Sequence, residues 1–203
     1  AIDYGLPRAD DAQEEFLVTT YDRLAAEKDQ KDWRAEFIAA RVRQFGDKHP
    51  HVAMAWSLFG ASRLAAGDWK TAAECLSKSL DLQRSALGDD HPEVAATLVL
   101  VAHASRLAGD TSAAVRTSAD ALTVWERIVG PNHPGTLEAV DVLASARLQA
   151  GERDGVPALL ARLCAADGSA DPVRRAYHLV RLAELTARKD KAAARANVQE
   201  AMK

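Results

Sequence analysis

The chain is 203 residues long, with 48% hydrophobic residues, only 5% aromatic residues and a net charge of −3. Much of the apolar content is alanine, which suits close helix–helix contact and suits a broad β-sheet poorly, because sheets favour β-branched and aromatic side chains. A pI of about 6.1 excludes the strong basic bias of a nucleic-acid binder, and no apolar run reaches the ~18 residues that would insert into a membrane.

Residues 1–10 show no period and read as an N-terminal extension. Two helical patterns follow, over 11–27 and 31–45, with Phe16, Leu17, Tyr21 and Leu24 on one face of the first. This pair, within 11–48, is divergent, because Ala25 stands where later units carry a turn glycine. Arg34, Arg41, Arg43 and Lys48 form a basic cluster here, diluted by Asp32, Glu36 and Asp47 into a solvated face.

From Phe45 onward the chain repeats. Phe45-Gly46-Asp47-Lys48-His49-Pro50 is echoed by Leu87-Gly88-Asp89-Asp90-His91-Pro92 and by Val129-Gly130-Pro131-Asn132-His133-Pro134, 42 residues apart each time. Gly67, Gly109 and Gly151 keep the same step. Each His-Pro opens a helix, because proline at the first helical position needs no donor. Helical patterns run over 50–66, 92–108 and 134–150, and the following glycine ends each one. Asp68, Asp110 or Glu152 then sets an acid near the start of the second helix, where the helix dipole favours it. Connections this short force antiparallel pairs. One pair cannot bury its apolar face alone, so successive pairs stack into a solenoid.

The units are 49–90, 91–132 and a shortened 133–170. In the third, Gly155 and Pro157 delay the second helix to about Val156, and it ends near Asp167. Asp171-Pro172 opens a further helix to about Arg188, and a last one, polar on much of its surface, runs from Lys191 to Met202. The segment 171–203 thus reads as a capping pair, as terminal solenoid units do. The expectation is an all-α solenoid domain of about ten helices.

Little in the chain suggests catalysis. Cys75 and Cys164 sit among apolar residues without metal spacing and read as core thiols, which fits a reducing cytoplasm. His49, His91 and His133 occupy equivalent loops, too far apart for one zinc ion, and read as hydrogen-bonding residues at helix starts. His178 has Glu184 and Asp171 nearby in sequence but no nucleophile at a telling spacing. No zinc-protease, nucleophile-elbow or phosphate-loop motif occurs. No enzyme activity, metal or cofactor is expected. Trp33, Trp56, Trp69 and Trp125 fall at helix positions where burial is expected.

The Gly-Asp-x-His-Pro loop, the turn glycine and small residues at helix contacts (Gly60, Ala102, Ala144, Ala72, Ala114 and Ala121) resemble the 42-residue class of tetratricopeptide repeats of kinesin light chains and many bacterial regulators. The resemblance covers 45–167 closely and both ends weakly. It implies a right-handed superhelix of antiparallel helix pairs that binds a protein or peptide along the concave face lined by the first helix of each pair. Carried onto this chain, that groove comprises Met54, Ser57, Leu58, Ala61 and Leu64; then Ala96, Val99, Leu100, His103 and Arg106; then Glu138, Asp141, Val142 and Ser145. The Asn-Asn pair of many kinesin light chains is replaced by Ser57-Leu58, Val99-Leu100 and Asp141-Val142. The Lys/Asn/Arg cluster of chaperone-binding members is missing, with Arg106 its one candidate.

The groove so drawn has an apolar centre and an acidic third unit, which suits an amphipathic helix with some basic residues. The expected function is a protein-interaction module, as an adaptor or regulatory domain, cytoplasmic, and bacterial on its Ala-rich, Arg-over-Lys composition. The alternatives are a sensor for a short signalling peptide and a structural, self-associating array.

Overall fold

A computed structural model describes residues 33–167, 172–187 and 190–202. The expected helix over 11–27 lies outside them, as does the side chain of Trp33. The described residues form helices α1 (Trp33–Phe45), α2 (Pro50–Ala65), α3 (Trp69–Leu87), α4 (Pro92–Leu107), α5 (Thr111–Val129), α6 (Pro134–Gln149), α7 (Val156–Asp167), α8 (Pro172–Thr186) and α9 (Lys191–Ala201). Each helix packs against the next, and α4 also touches α2 and α6. The first helices of successive units therefore lie side by side. That is the all-helical solenoid the repeat predicts.

The histidine and aspartate of each unit act as helix caps. The Nδ1 atoms of His49, His91 and His133 accept from the backbone N–H of His51, Glu93 and Gly135 at 3.2, 3.2 and 3.1 Å. Asp68 and Asp110 accept from the N–H of Thr71 and Ala113 at the start of α3 and α5. The turn between them is the same in all three units. Gly67, Gly109 and Gly151 take positive φ, and the next residue's N–H reaches back five residues: Asp68 to Arg63, Asp110 to Ser105, Glu152 to Arg147. This bond pattern closes the helix end on its own carbonyls.

The first helices end one residue earlier than the sequence pattern suggests, at Ala65, Leu107 and Gln149. The closing turn takes residues 66, 108 and 150 for itself. In the third unit the second helix starts later than in the other two. Gly155 has φ +76° and Pro157 has no N–H to donate, so α7 starts only at Val156.

The core runs between the helices as one seam. Leu76, Leu80, Val94, Leu98, Val124 and Trp125 fill it, with Ala72, Ala95, Ala102, Ala121 and Ala139 where helices approach closely. A second cluster of Val140, Ala144, Val156, Leu160 and Leu163 carries the seam onward. The hydroxyl of the buried Ser79 donates to the Ala53 carbonyl at 2.7 Å, tying α3 to α2. Cys75 and Cys164 are buried. Trp125 is buried and Trp56 half-buried, but Trp69 is 41% exposed, against the expectation from sequence. It opens α3 one turn before the apolar stripe of Ala72, Leu76 and Leu80 begins.

Candidate functional site

The residues expected in the groove separate once placed. Met54, Ser57 and Leu58 on α2 face Ala96 and Leu100 on α4 across a cavity of about 580 Å³, closed behind by Gln83, Ala86 and Leu87 from the last turns of α3. His49, His51, Glu93 and Thr97 complete its wall. That volume lies within the range of about 300–1,000 Å³ usual for ligand pockets. Beyond its edge, Ala61 is exposed and Leu64 packs partly on the core.

Two expected groove residues belong to the core. Val99 is 4% exposed and Val142 8%, both within the main apolar cluster. An apolar residue on a first helix can face a partner or the seam behind it, and here the seam takes both. Leu100, one residue on, packs on the same cluster but keeps one side on the cavity.

The remaining residues form a polar stretch over α4, α6 and α8. Arg106 Nη1 donates to Gln149 Oε1 at 3.5 Å, and Gln149 Nε2 returns a bond to the Arg106 carbonyl at 3.1 Å. Arg181 of α8 reaches Asp141 at 3.4 Å and the Ser145 hydroxyl at 3.3 Å. The buried His178 places Nε2 3.5 Å from the same Asp141 carboxylate. The third unit is therefore less acidic than its sequence reads, because Asp141 faces the Arg181 guanidinium. Glu138 remains exposed. Gln149, His178 and Arg181 were not legible as site residues. Arg181 lies 40 residues from Asp141 in a unit whose register has slipped from the 42-residue step.

His103 is half-buried on α4. Burial, and then the Arg106 guanidinium, hold its pKa below the ordinary 6.5, while Glu138 and Asp141 pull the other way. The unfolded chain therefore takes up this proton more readily than the folded one. Its contribution to stability is intact above about pH 6.5 and is lost as pH falls below that value. The loss of stability between about pH 8 and about pH 5 is expected to be smaller in His103→Gln. Guanidinium midpoints at both pH values check this, and an unchanged difference would contradict it.

On α1, the guanidinium of Arg41 lies 4.9 Å from the Phe37 ring centroid and 5.8 Å from that of Phe45. That stacking holds the guanidinium against aromatic faces of its own helix. Among the described residues no helix is long and apolar enough to cross a membrane.

With the geometry in place, comparison with known proteins gives a consistent fold. A family model described as tetratricopeptide repeat matches residues 51–123. No curated protein matches the chain. Among solved structures, the nearly identical TPR-like repeats of a protein assigned as a kinesin light chain from Podosopora anserina superpose with a TM-score of 0.76 at 19% identity, covering 94% of this chain and 92% of that one. BtubC (BKLC) from P. vanneervenii superposes with a TM-score of 0.63 at 15% identity, over 94% and 85% of the two chains. At such identities the likeness speaks to fold. Residues 51–123 thus carry tetratricopeptide repeats, on a helical solenoid with the fold of the kinesin-light-chain TPR-like repeats.

Proposed function

We propose that this chain is an interaction module that holds a partner protein or peptide against its row of first helices, as an adaptor or regulatory domain in the cytoplasm, and acts by binding rather than by chemistry. The observation that carries this reading is the cavity between α2 and α4, walled by Met54, Leu58, Ala96 and Leu100 and continued by the polar stretch at His103, Glu138 and Ser145. An apolar pocket leading into a polar track matches an amphipathic helix laid along the row. Glu93 and Glu138 are the exposed acids beside it and favour basic residues on the partner's polar face.

A second reading, the self-associating array, draws on another observation. Val173, Tyr177 and Val180 form an exposed apolar stripe on α8, with Val198 exposed on α9 and Met202 exposed just after it. Large exposed apolar residues in one region mark contact surfaces.

One experiment separates the two. Wild type and an Ala61→Asp, Ala96→Asp variant serve as baits in lysate of the source cell. Both positions are exposed, so the fold survives. A partner retained by wild type and lost by the variant is the expected result. Identical partners on both baits would move the contact off the groove. Concentration-dependent oligomers without other partners would favour the array.

A further inference from the structure

The inference rests on the interaction-module reading and concerns what a partner must present. The repeat allows one junction to be read against the next. Gln83 and Ala86 near the end of α3 correspond to Trp125 and Ile128 in α5, 42 residues on. At the second junction Trp125 is buried and stacked on His133, with ring centroids 5.3 Å apart. Ile128 packs beside it on the core. Gly135 makes room, since a Cβ there would stand 2.8 Å from Cε2 of the indole. The first junction has Gln83, Ala86 and Glu93 at these three positions, and all three line the cavity. The cavity is the space that the second junction fills with its own side chains.

A second observation concerns a residue of the same wall. Gln83 is 7% exposed, and its Oε1 is buried without a hydrogen-bond partner among the described residues. A buried acceptor without a donor costs free energy that an incoming N–H restores. Glu93 stands exposed at the mouth and disfavours an acidic neighbour.

We propose that the first junction is a socket for one bulky apolar side chain of a partner peptide, which donates an N–H to Gln83 Oε1 and carries neutral or basic residues beside the anchor. The bound side chain takes the place that Trp125 holds one repeat on. The specificity of the module then resides in Gln83, Ala86 and Glu93, outside the first-helix positions that face the groove most directly.

The test uses a random-sequence peptide library displayed on phage, selected on wild-type protein. Enriched peptides are then measured against Gln83→Trp, Ala86→Ile, Glu93→Gly, which rebuilds the first junction as the second. The expected result is peptides sharing one bulky apolar residue with no acid next to it. Their affinity for the triple variant falls by about tenfold or more, the scale of one well-packed anchor. Should the triple variant fail to fold by circular dichroism, Ala86→Ile alone narrows the cavity and is expected to weaken the same peptides. Gln83→Leu keeps the bulk and removes the acceptor. It is expected to weaken the peptides while raising the melting temperature of the unliganded protein. Unchanged affinity in these variants overturns the proposal. Peptides weakened by Glu138→Lys, Ser145→Lys but untouched by the socket variants would overturn it and leave the module reading standing. A wild-type protein that enriches no peptide would overturn both.

Discussion

Replacing Leu98 with alanine is expected to destabilise the protein by about 2–5 kcal/mol. The side chain is 1% exposed and belongs to a cluster drawn from α3, α4, α5 and α6. Two costs add. The lost methyl and methylene groups forfeit their burial, and the cavity left behind lies among neighbours that cannot collapse freely. Those neighbours include Ala72, Ala95, Ala102 and Ala121, small residues whose helices are already in close approach. Leu98 also sits in the central repeat, so its loss loosens the interfaces on both sides, and solenoid stability is roughly a sum of such interfaces. Denaturant unfolding followed by circular dichroism measures the change. Val198→Ala, at an exposed position on α9, is the control and is expected to shift stability by less than about 0.5 kcal/mol. Equal effects of the two would mean that the seam between α3 and α6 does not carry the fold.

The second large effect is expected at Gly60. It is buried in α2, and a Cβ built on it would lie 2.6 Å from Leu76 Cγ, 2.9 Å from Leu76 Cδ2 and 3.2 Å from the Leu76 backbone N. Leu76 is fully buried, so its side chain has nowhere to move, and the backbone of α3 cannot retreat without parting the two helices. Gly60→Leu is therefore expected to cost about 1–3 kcal/mol or more from overpacking. The helix-propensity gain of removing a mid-helix glycine is only about 1 kcal/mol and does not offset it. A double-mutant cycle isolates the cause. In a Leu76→Ala background the same substitution is expected to cost clearly less, because the two side-chain atoms it would strike are gone. If Gly60→Leu costs the same in both backgrounds, close approach of α2 and α3 is not the reason for glycine at this position.

How much of this was legible beforehand depended on whether the signal was local. The fold was. A histidine that caps with Nδ1, a proline at the next position, a glycine with positive φ and an aspartate that caps the return helix each act within about five residues. Their recurrence at 42 residues repeats one instruction, and stacking follows because no pair buries its apolar face alone. Even the late start of α7 was readable, since Gly155 and Pro157 act on their own backbone.

The site was less so. Periodicity puts Ser57-Leu58, Val99-Leu100 and Asp141-Val142 at one register, yet Ser57 and Leu58 open on the cavity while Val99 and Val142 are sealed in the core. Which way such a pair leans depends on the bulk of the helices behind it. The charge of the third unit also escaped, because Arg181 reaches Asp141 only through the packing of α8 on its neighbours. The cavity itself is a difference between Gln83 and Trp125, and between Ala86 and Ile128, at matched positions. Helices, caps and pairing can be read from the amino-acid order alone, because those interactions are short-range and repeat. Which junction stays open and which charges meet emerge only on folding, because both depend on side-chain volume and reach between helices far apart in the chain.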